Sequence, residues 1–269
     1  MELLTNNHKF LVWYAKENFD QDLKFSYEKE CTLPNGTKAH YVFSRRAAIG
    51  YVGLRENLHK FQLGITKAEF SLIRMAEPTA DLSKDLHIAL SLLVLGADKQ
   101  GNLVKIYNLP YIKNRWDELK IEFLEDYDQE AYLLLIHEMD KRIANENLLL
   151  AYLQLPTMYG LYFNGYWLMQ EDKPDGLIKQ IVLGKEVAET SFDETLVLEI
   201  KKSDKQKEIT IHSGMLTNQD LNASTPIQGY NGTCIYVDGI LDTCKKEIQI
   251  DSTNFYYSAK WVGLKTLFQ

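Results

Sequence analysis

A chain of 269 residues with 45% hydrophobic side chains is long enough for one large or two modest domains around a continuous core. Its 37 acidic against 30 basic residues and pI near 5.5 give a surface that repels phosphate backbones, which argues against nucleic acid as a partner. No apolar run approaches the ~20 residues that span a bilayer, and the start, Met1-Glu2-Leu3-Leu4, carries no basic leader, so the expected location is cytoplasmic.

In chain order, the opening third predicts antiparallel strands. Leu23, Phe25 and Tyr27 alternate with Lys24, Ser26 and Glu28, the period of two of a half-buried strand. Pro34-Asn35-Gly36 then turns the chain into a second strand, Ala39 to Phe43. His59 to Phe70 alternates again, with Phe61, Leu63 and Ile65 on one face. From Leu86 to Leu95 both faces are apolar, which predicts a strand covered on both sides. Asp98-Lys99-Gln100-Gly101 supplies the turn into Leu103 to Tyr107.

The period then changes. Over Pro110 to Asp126, Ile112, Trp116, Leu119 and Phe123 form a single stripe at helical spacing. Over Asp128 to Leu155, Tyr132, Ile136, Met139 and Ile143 do the same, with Asp128 as the expected N-cap and Pro156 as the stop. Two amphipathic helices joined by so short a loop predict an antiparallel hairpin laid over one face of a sheet. Strands return at Tyr159 to Met169, Leu177 to Leu183, Leu196 to Lys201, Glu208 to His212, Thr233 to Val237, Ile240 to Ile250 and Tyr256 to Phe268. Asp175-Gly176, Ser203-Asp204 and Asp238-Gly239 turn between them, and Gly214 to Gly232 shows no periodicity.

No established catalytic, metal or phosphate-binding spacing occurs. His137-Glu138 lacks the second histidine of a zinc helix, Lys141 standing four residues on. There is no G-x-S-x-G elbow and no glycine-rich phosphate loop. Neither a metal nor a cofactor is therefore expected. Arg45 and Arg46 suggest an anion clamp, but strand alternation sends them to opposite faces. Cys31, Cys234 and Cys244 form no C-x-x-C pair, so reduced thiols are the default. Around Asp238-Gly239, a two-residue loop sets Cys234 opposite Thr243 and a three-residue loop sets it opposite Cys244.

The densest aromatic cluster is Tyr159, Tyr162, Phe163, Tyr166 and Trp167. Read as a strand, it carries rings on both faces. One set fills the core, and the other either packs beneath a loop or is offered to a partner; in the second case Tyr162, Tyr166 and Trp167 are the expected contact residues, with Tyr159 and Phe163 turned inward.

The patterns predict one α+β domain over 1–269, with strands in 8–107, a helical hairpin in 110–155 and strands in 159–268. Asp98-Lys99-Gln100-Gly101-Asn102-Leu103, leading to the Trp116 helix, and Val237-Asp238-Gly239-Ile240-Leu241 keep a strand-turn-strand rhythm on either side of it. In topology the chain resembles the bacterial half-barrel lipoprotein carriers. That resemblance implies a curved, mainly antiparallel sheet, a partial barrel, covered by the central antiparallel helical hairpin.

An acidic, tyrosine-rich body without catalytic signature suits recognition. The first expectation is a non-catalytic cytoplasmic protein that holds a protein partner, as an adaptor, chaperone or neutralising factor would. The alternative is a carrier of an apolar small molecule or lipid, held between sheet and helices by Trp116, Phe123, Tyr132 and Met139. A third is an enzyme whose site is assembled from distant residues around His40, His59 or His87.

Overall fold

Period-two alternation becomes a single curved, unclosed antiparallel sheet of eleven strands. The structure, a computed structural model, describes residues 20–72, 87–126, 130–167, 175–182, 191–202, 207–215 and 227–263. The strands are β1 (Asp20–Thr32), β2 (Lys38–Arg55), β3 (Leu58–Leu72), β4 (Leu92–Ala97), β5 (Leu103–Ile106), β6 (Asp175–Val182), β7 (Ser191–Lys202), β8 (Lys207–Met215), β9 (Gly229–Val237), β10 (Ile240–Ile250) and β11 (Thr253–Gly263). Their order in the sheet is β5-β4-β3-β2-β1-β11-β10-β9-β8-β7-β6. Two meanders are thus sewn together by their outer ends: β1 pairs with β11 at the centre, while β5 and β6 form the two edges.

Turn chemistry sets the registers. Glu56 and Asn57 (φ 54° and 63°), and Asp238 and Gly239 (φ 50° and 82°), hold both central positions of their hairpins in the left-handed region, as two-residue turns between twisted strands demand. Bulges interrupt the β2–β3 ladder between Arg46 and Ala47 and between Tyr51 and Gly53, and such bulges deepen local twist in these long strands.

The helices are α1 (Leu109–Asp126), α2 (Glu130–Ala144) and α3 (Glu146–Leu153). The helix expected over 128–155 is therefore two. Asn145 leaves the helical region (φ −117°, ψ 113°), and its side chain accepts from the amides of Asn147 and Leu148, which starts a new helix. Lys113 donates to the Ala144 carbonyl at 3.1 Å and the Trp116 indole to Asp140 at 2.9 Å, so α1 and α2 run antiparallel. Ile112, Trp116, Leu119 and Phe123, with Ile136, Met139 and Ile143, are buried, as their spacing required.

Three further expectations change. The run from Leu86 opens as a 3-10 turn, His87–Leu90, before β4; an apolar run on both faces does not distinguish turn from strand. Tyr159 to Trp167 is a chain of turns, not a strand. Cys234 and Cys244 are disulfide-bonded rather than reduced: the loop has two residues, but a bulge between Leu241 and Thr243 advances the register by one and brings the cysteines opposite. Cys31 is a free thiol. The Asp128 cap, the Ser203-Asp204 turn, residues 8–19 and most of Gly214 to Gly232 lie outside the described residues. Among the described residues no helix is long and apolar enough to cross a membrane.

Candidate functional site

Because β5 and β6 are opposite edges, the chain between them must cross the hollow of the sheet. After α3 it does so as a strap, residues 154–167, whose amides bond back in successive turns: Tyr159 to the Leu153 carbonyl, Met158 and Gly160 to Leu155, and Tyr162 and Phe163 to Tyr159. Gly160 has no room for a side chain, since a Cβ there would stand 1.9 Å from the Gln154 carbonyl oxygen.

Toward β1–β3 the strap is fastened by rings. Tyr159 meets Phe25 edge-on at 5.4 Å, and Phe61 is surrounded by Phe163 at 5.4 Å, Trp167 at 5.7 Å and Tyr162 at 6.2 Å. Trp167 also lies on Gly101, where a Cβ would stand 2.4 Å from the indole and φ is +92°, so both space and backbone require glycine.

Toward β7–β10 the fastening is polar. Asn164 donates to the Tyr236 hydroxyl at 2.7 Å. Tyr166 and Tyr230 each donate to Glu194, at 2.7 and 2.6 Å, and Lys246 donates to the Tyr166 oxygen at 2.7 Å and to Glu194 at 3.3 Å. Glu194 is 0% and Lys246 6% exposed. Burial by itself would depress the Lys246 pKa, but the Glu194 carboxylate and the two phenol oxygens together hold it well above its ordinary value. Burial pushes the Tyr230 hydroxyl up to about 12 and the Tyr166 and Tyr236 hydroxyls upward as well, Lys246 opposing in each case. A carboxylate receiving three donors beside a locked ammonium is built to hold position, not to exchange protons at neutral pH.

A second buried cation sits in the other limb. Arg45, 3% exposed, donates to the Thr157 carbonyl and, at 2.8 Å, to the Met158 sulfur of the strap. Its guanidinium lies over the rings of Phe43 at 5.0 Å and Tyr159 at 5.6 Å. Its Nε and the Tyr159 hydroxyl are buried with no hydrogen-bond partner beyond each other, and among the described residues no carboxylate pairs with the guanidinium. Arg46 points outward to Asp22 at 3.0 Å, so the two arginines do occupy opposite faces.

The residues expected at a partner surface, Tyr162, Tyr166 and Trp167, are all buried, together with Tyr159 and Phe163. This corrects their expected exposure: turns rather than alternation aim all five rings inward. Trp116, Phe123 and Met139 are packed in the core around α1 and α2. Tyr132 belongs to α2, but its side chain lies outside the described residues. His40 and His59 do not converge: His40 pairs with Glu28 at one end of β2, while His59 meets Tyr51 at the other, its pKa lowered by burial and by Lys99; the side chain of His87 lies outside the described residues. Among the described residues no cluster of metal ligands occurs. A polar cleft of about 440 Å³ opens where β1, β2 and the β10–β11 turn meet, lined by Glu30, Cys31, Lys38, His40, Ser252 and Asn254.

Sequence reading passed over Glu194 and Lys246, and set Arg45 aside once alternation separated it from Arg46. Each left a signal, being a charge in the buried phase of an alternating strand: Glu194 between Phe192 and Leu196, Lys246 between Cys244 and Ile248, Arg45 between Phe43 and Ala47.

No protein-family model matches the chain, and no curated protein matches it in sequence. Among solved structures it is similar to a chain titled for lipid–protein interactions in lipovitellin, at 9% identity and a TM-score of 0.48. That match covers 94% of this chain and 26% of the lipovitellin chain, so this chain spans about a quarter of its neighbour's length.

Proposed function

We propose that the chain is a non-catalytic binding protein that grips a protein partner at the tip of its helical hairpin. The observation that carries this reading is an apolar patch on the solvent side of α1 and α2. Ile121 follows Ile112 by about two and a half turns and so faces away from the buried stripe, at 64% exposure. Leu134 lies as far round from Ile136, at 61% exposure, and the antiparallel register sets Leu124 beside Leu133, both exposed.

Acid rings this patch. Glu122, Glu125 and Glu130 are exposed and form no ion pair among the described residues, whereas Glu118 and Glu138 are paired with Arg115 and Lys141. Glu122 and Glu125 stand in the last turn of α1, which carries no basic residue, where the helix dipole opposes negative charge. A partner with an apolar residue flanked by lysine or arginine would cover the patch and relieve that repulsion.

Zero-length carbodiimide crosslinking in native lysate tests the reading. The expected result is a polypeptide joined through its lysines to Glu122 or Glu125 and lost in an Ile121→Lys, Leu134→Lys variant that keeps its circular dichroism. No adduct at either glutamate would end it. The Cys234–Cys244 disulfide favours an oxidising compartment over the expected cytoplasmic location, and thiol trapping in freshly lysed cells decides between them: a reduced pair there would restore the cytoplasmic reading.

A further inference from the structure

The inner face of β1 and β2 grades from a half-open aromatic mouth to a buried charge. The registers pair Lys29 with Tyr41, Tyr27 with Phe43, and Phe25 with Arg45. The first two rungs are half-buried and the third is buried. Tyr27 stacks on Tyr257 at 5.4 Å, which extends the mouth toward β11, and the Lys29 ammonium stands 5.5 Å from the Tyr41 ring. In a chain of net charge −7, both charged residues on these rungs are cations. The neighbouring acids of β1, Asp22, Glu28 and Glu30, fall in the opposite phase, on the other face of the sheet, where Asp22 is buried against Arg46.

A guanidinium cannot shed its charge, so burial among rings, a thioether and one carbonyl leaves it under-compensated. Its Nε and the adjacent Tyr159 hydroxyl are two buried groups that find no hydrogen-bond partner beyond each other. Together they match what an oxyanion needs. We propose that Arg45 and Tyr159 form a binding site for the carboxylate or phosphate-monoester group of a small organic molecule, whose apolar body lies against Tyr27 and Phe43. Fastening of the strap does not account for the site. Thr157 and Met158 use the terminal nitrogens of Arg45 and leave Nε over. The site is built from β2 and the strap rather than from α1 and α2, and does not rest on the proposed protein partner.

Calorimetry on the intact chain with octanoate, octan-1-ol and inorganic phosphate decides it. Octanoate is expected to bind at least about tenfold more tightly than either, because only it offers both charge and apolar body. Arg45→Met should erase the preference of octanoate over octanol, and the milder Tyr159→Phe should reduce it severalfold while leaving octanol binding unchanged. Equal binding of octanoate and octanol to the native chain, binding of neither, or phosphate as tight as octanoate would each overturn the proposal. Because these three outcomes are read on the unmutated protein, a variant that fails to fold leaves the test intact.

Discussion

Lys246 and Arg45 are both cations buried in the hollow of one sheet, in opposite limbs, and both touch the same strap. Lys246 has a carboxylate at 3.3 Å and a phenol oxygen at 2.7 Å, and Glu194 in turn takes hydrogen bonds from two tyrosines. Arg45 has a carbonyl, a thioether and two ring faces. The first is a closed circuit in which each charge is answered inside the chain, so its members are mutually dependent. The second is open. A closed circuit fixes where the strap lies; an open one is a stability liability that makes sense when something outside the chain answers it.

The largest effect should come from opening the closed circuit. Glu194→Ala leaves Lys246 as an uncompensated buried charge and should cost about 3–5 kcal/mol, read as a lowered urea midpoint. A loss under about 1 kcal/mol would mean that the pair contributes nothing beyond its own desolvation.

Alkali should open it next. Folding favours the neutral phenol of Tyr230, whose pKa rises from about 10 to about 12. The native state therefore holds more protons than the unfolded chain above the unfolded value, and stability falls as pH rises. The Tyr230 contribution is fully present below pH ~10 and lost by pH ~12, about 3 kcal/mol at roughly 1.4 kcal/mol per unit. Lys246, also raised, has the same sign: its contribution holds below its unfolded pKa and disappears as pH climbs through the folded one. Urea midpoints taken between pH 8 and 12 should be level to about pH 10 and then fall, and less steeply in Tyr230→Phe. A level profile to pH 12 would remove Tyr230 from the circuit. A smaller cut, Tyr166→Phe, deletes one hydroxyl that both donates to Glu194 and accepts from Lys246, and about 1–3 kcal/mol should follow.

How far such a circuit can be foreseen depends on which period the residues obey. Strand alternation in Leu23, Phe25 and Tyr27, and the four-three-four stripe of α1, reached the right faces because each segment buries one side against one neighbour. The strap buries itself against two limbs at once, and alternation was the wrong template for it. Tyr159, Tyr162, Phe163, Tyr166 and Trp167 stand at i, i+3, i+4, i+7 and i+8, the spacing of turns, and Gly160 and Gly165 interrupt any strand. That pattern was legible. The contacts of Glu194 with Lys246 were not, because the two residues meet only after three antiparallel registers, β7–β8, β8–β9 and β9–β10, are fixed. What could be read was the oddity of each charge among apolar neighbours.

The smallest expected effect is the one that separates the two cations most sharply. Arg45→Met removes a charge with no internal counter-ion while keeping an apolar stem against Phe43 and Tyr159. It loses the bond to Thr157 and the ring contacts, roughly 1–2 kcal/mol, and regains the desolvation of a guanidinium. The opposed terms should leave the variant within about 1 kcal/mol of the native chain in ligand-free buffer. A loss as large as that of Glu194→Ala would show that Arg45 is answered inside the folded chain, and the contrast between the two limbs would collapse together with the oxyanion site built on it. A near-neutral result alongside a large Glu194 effect would mean that one limb of the sheet secures the strap and the other keeps a charge for a ligand.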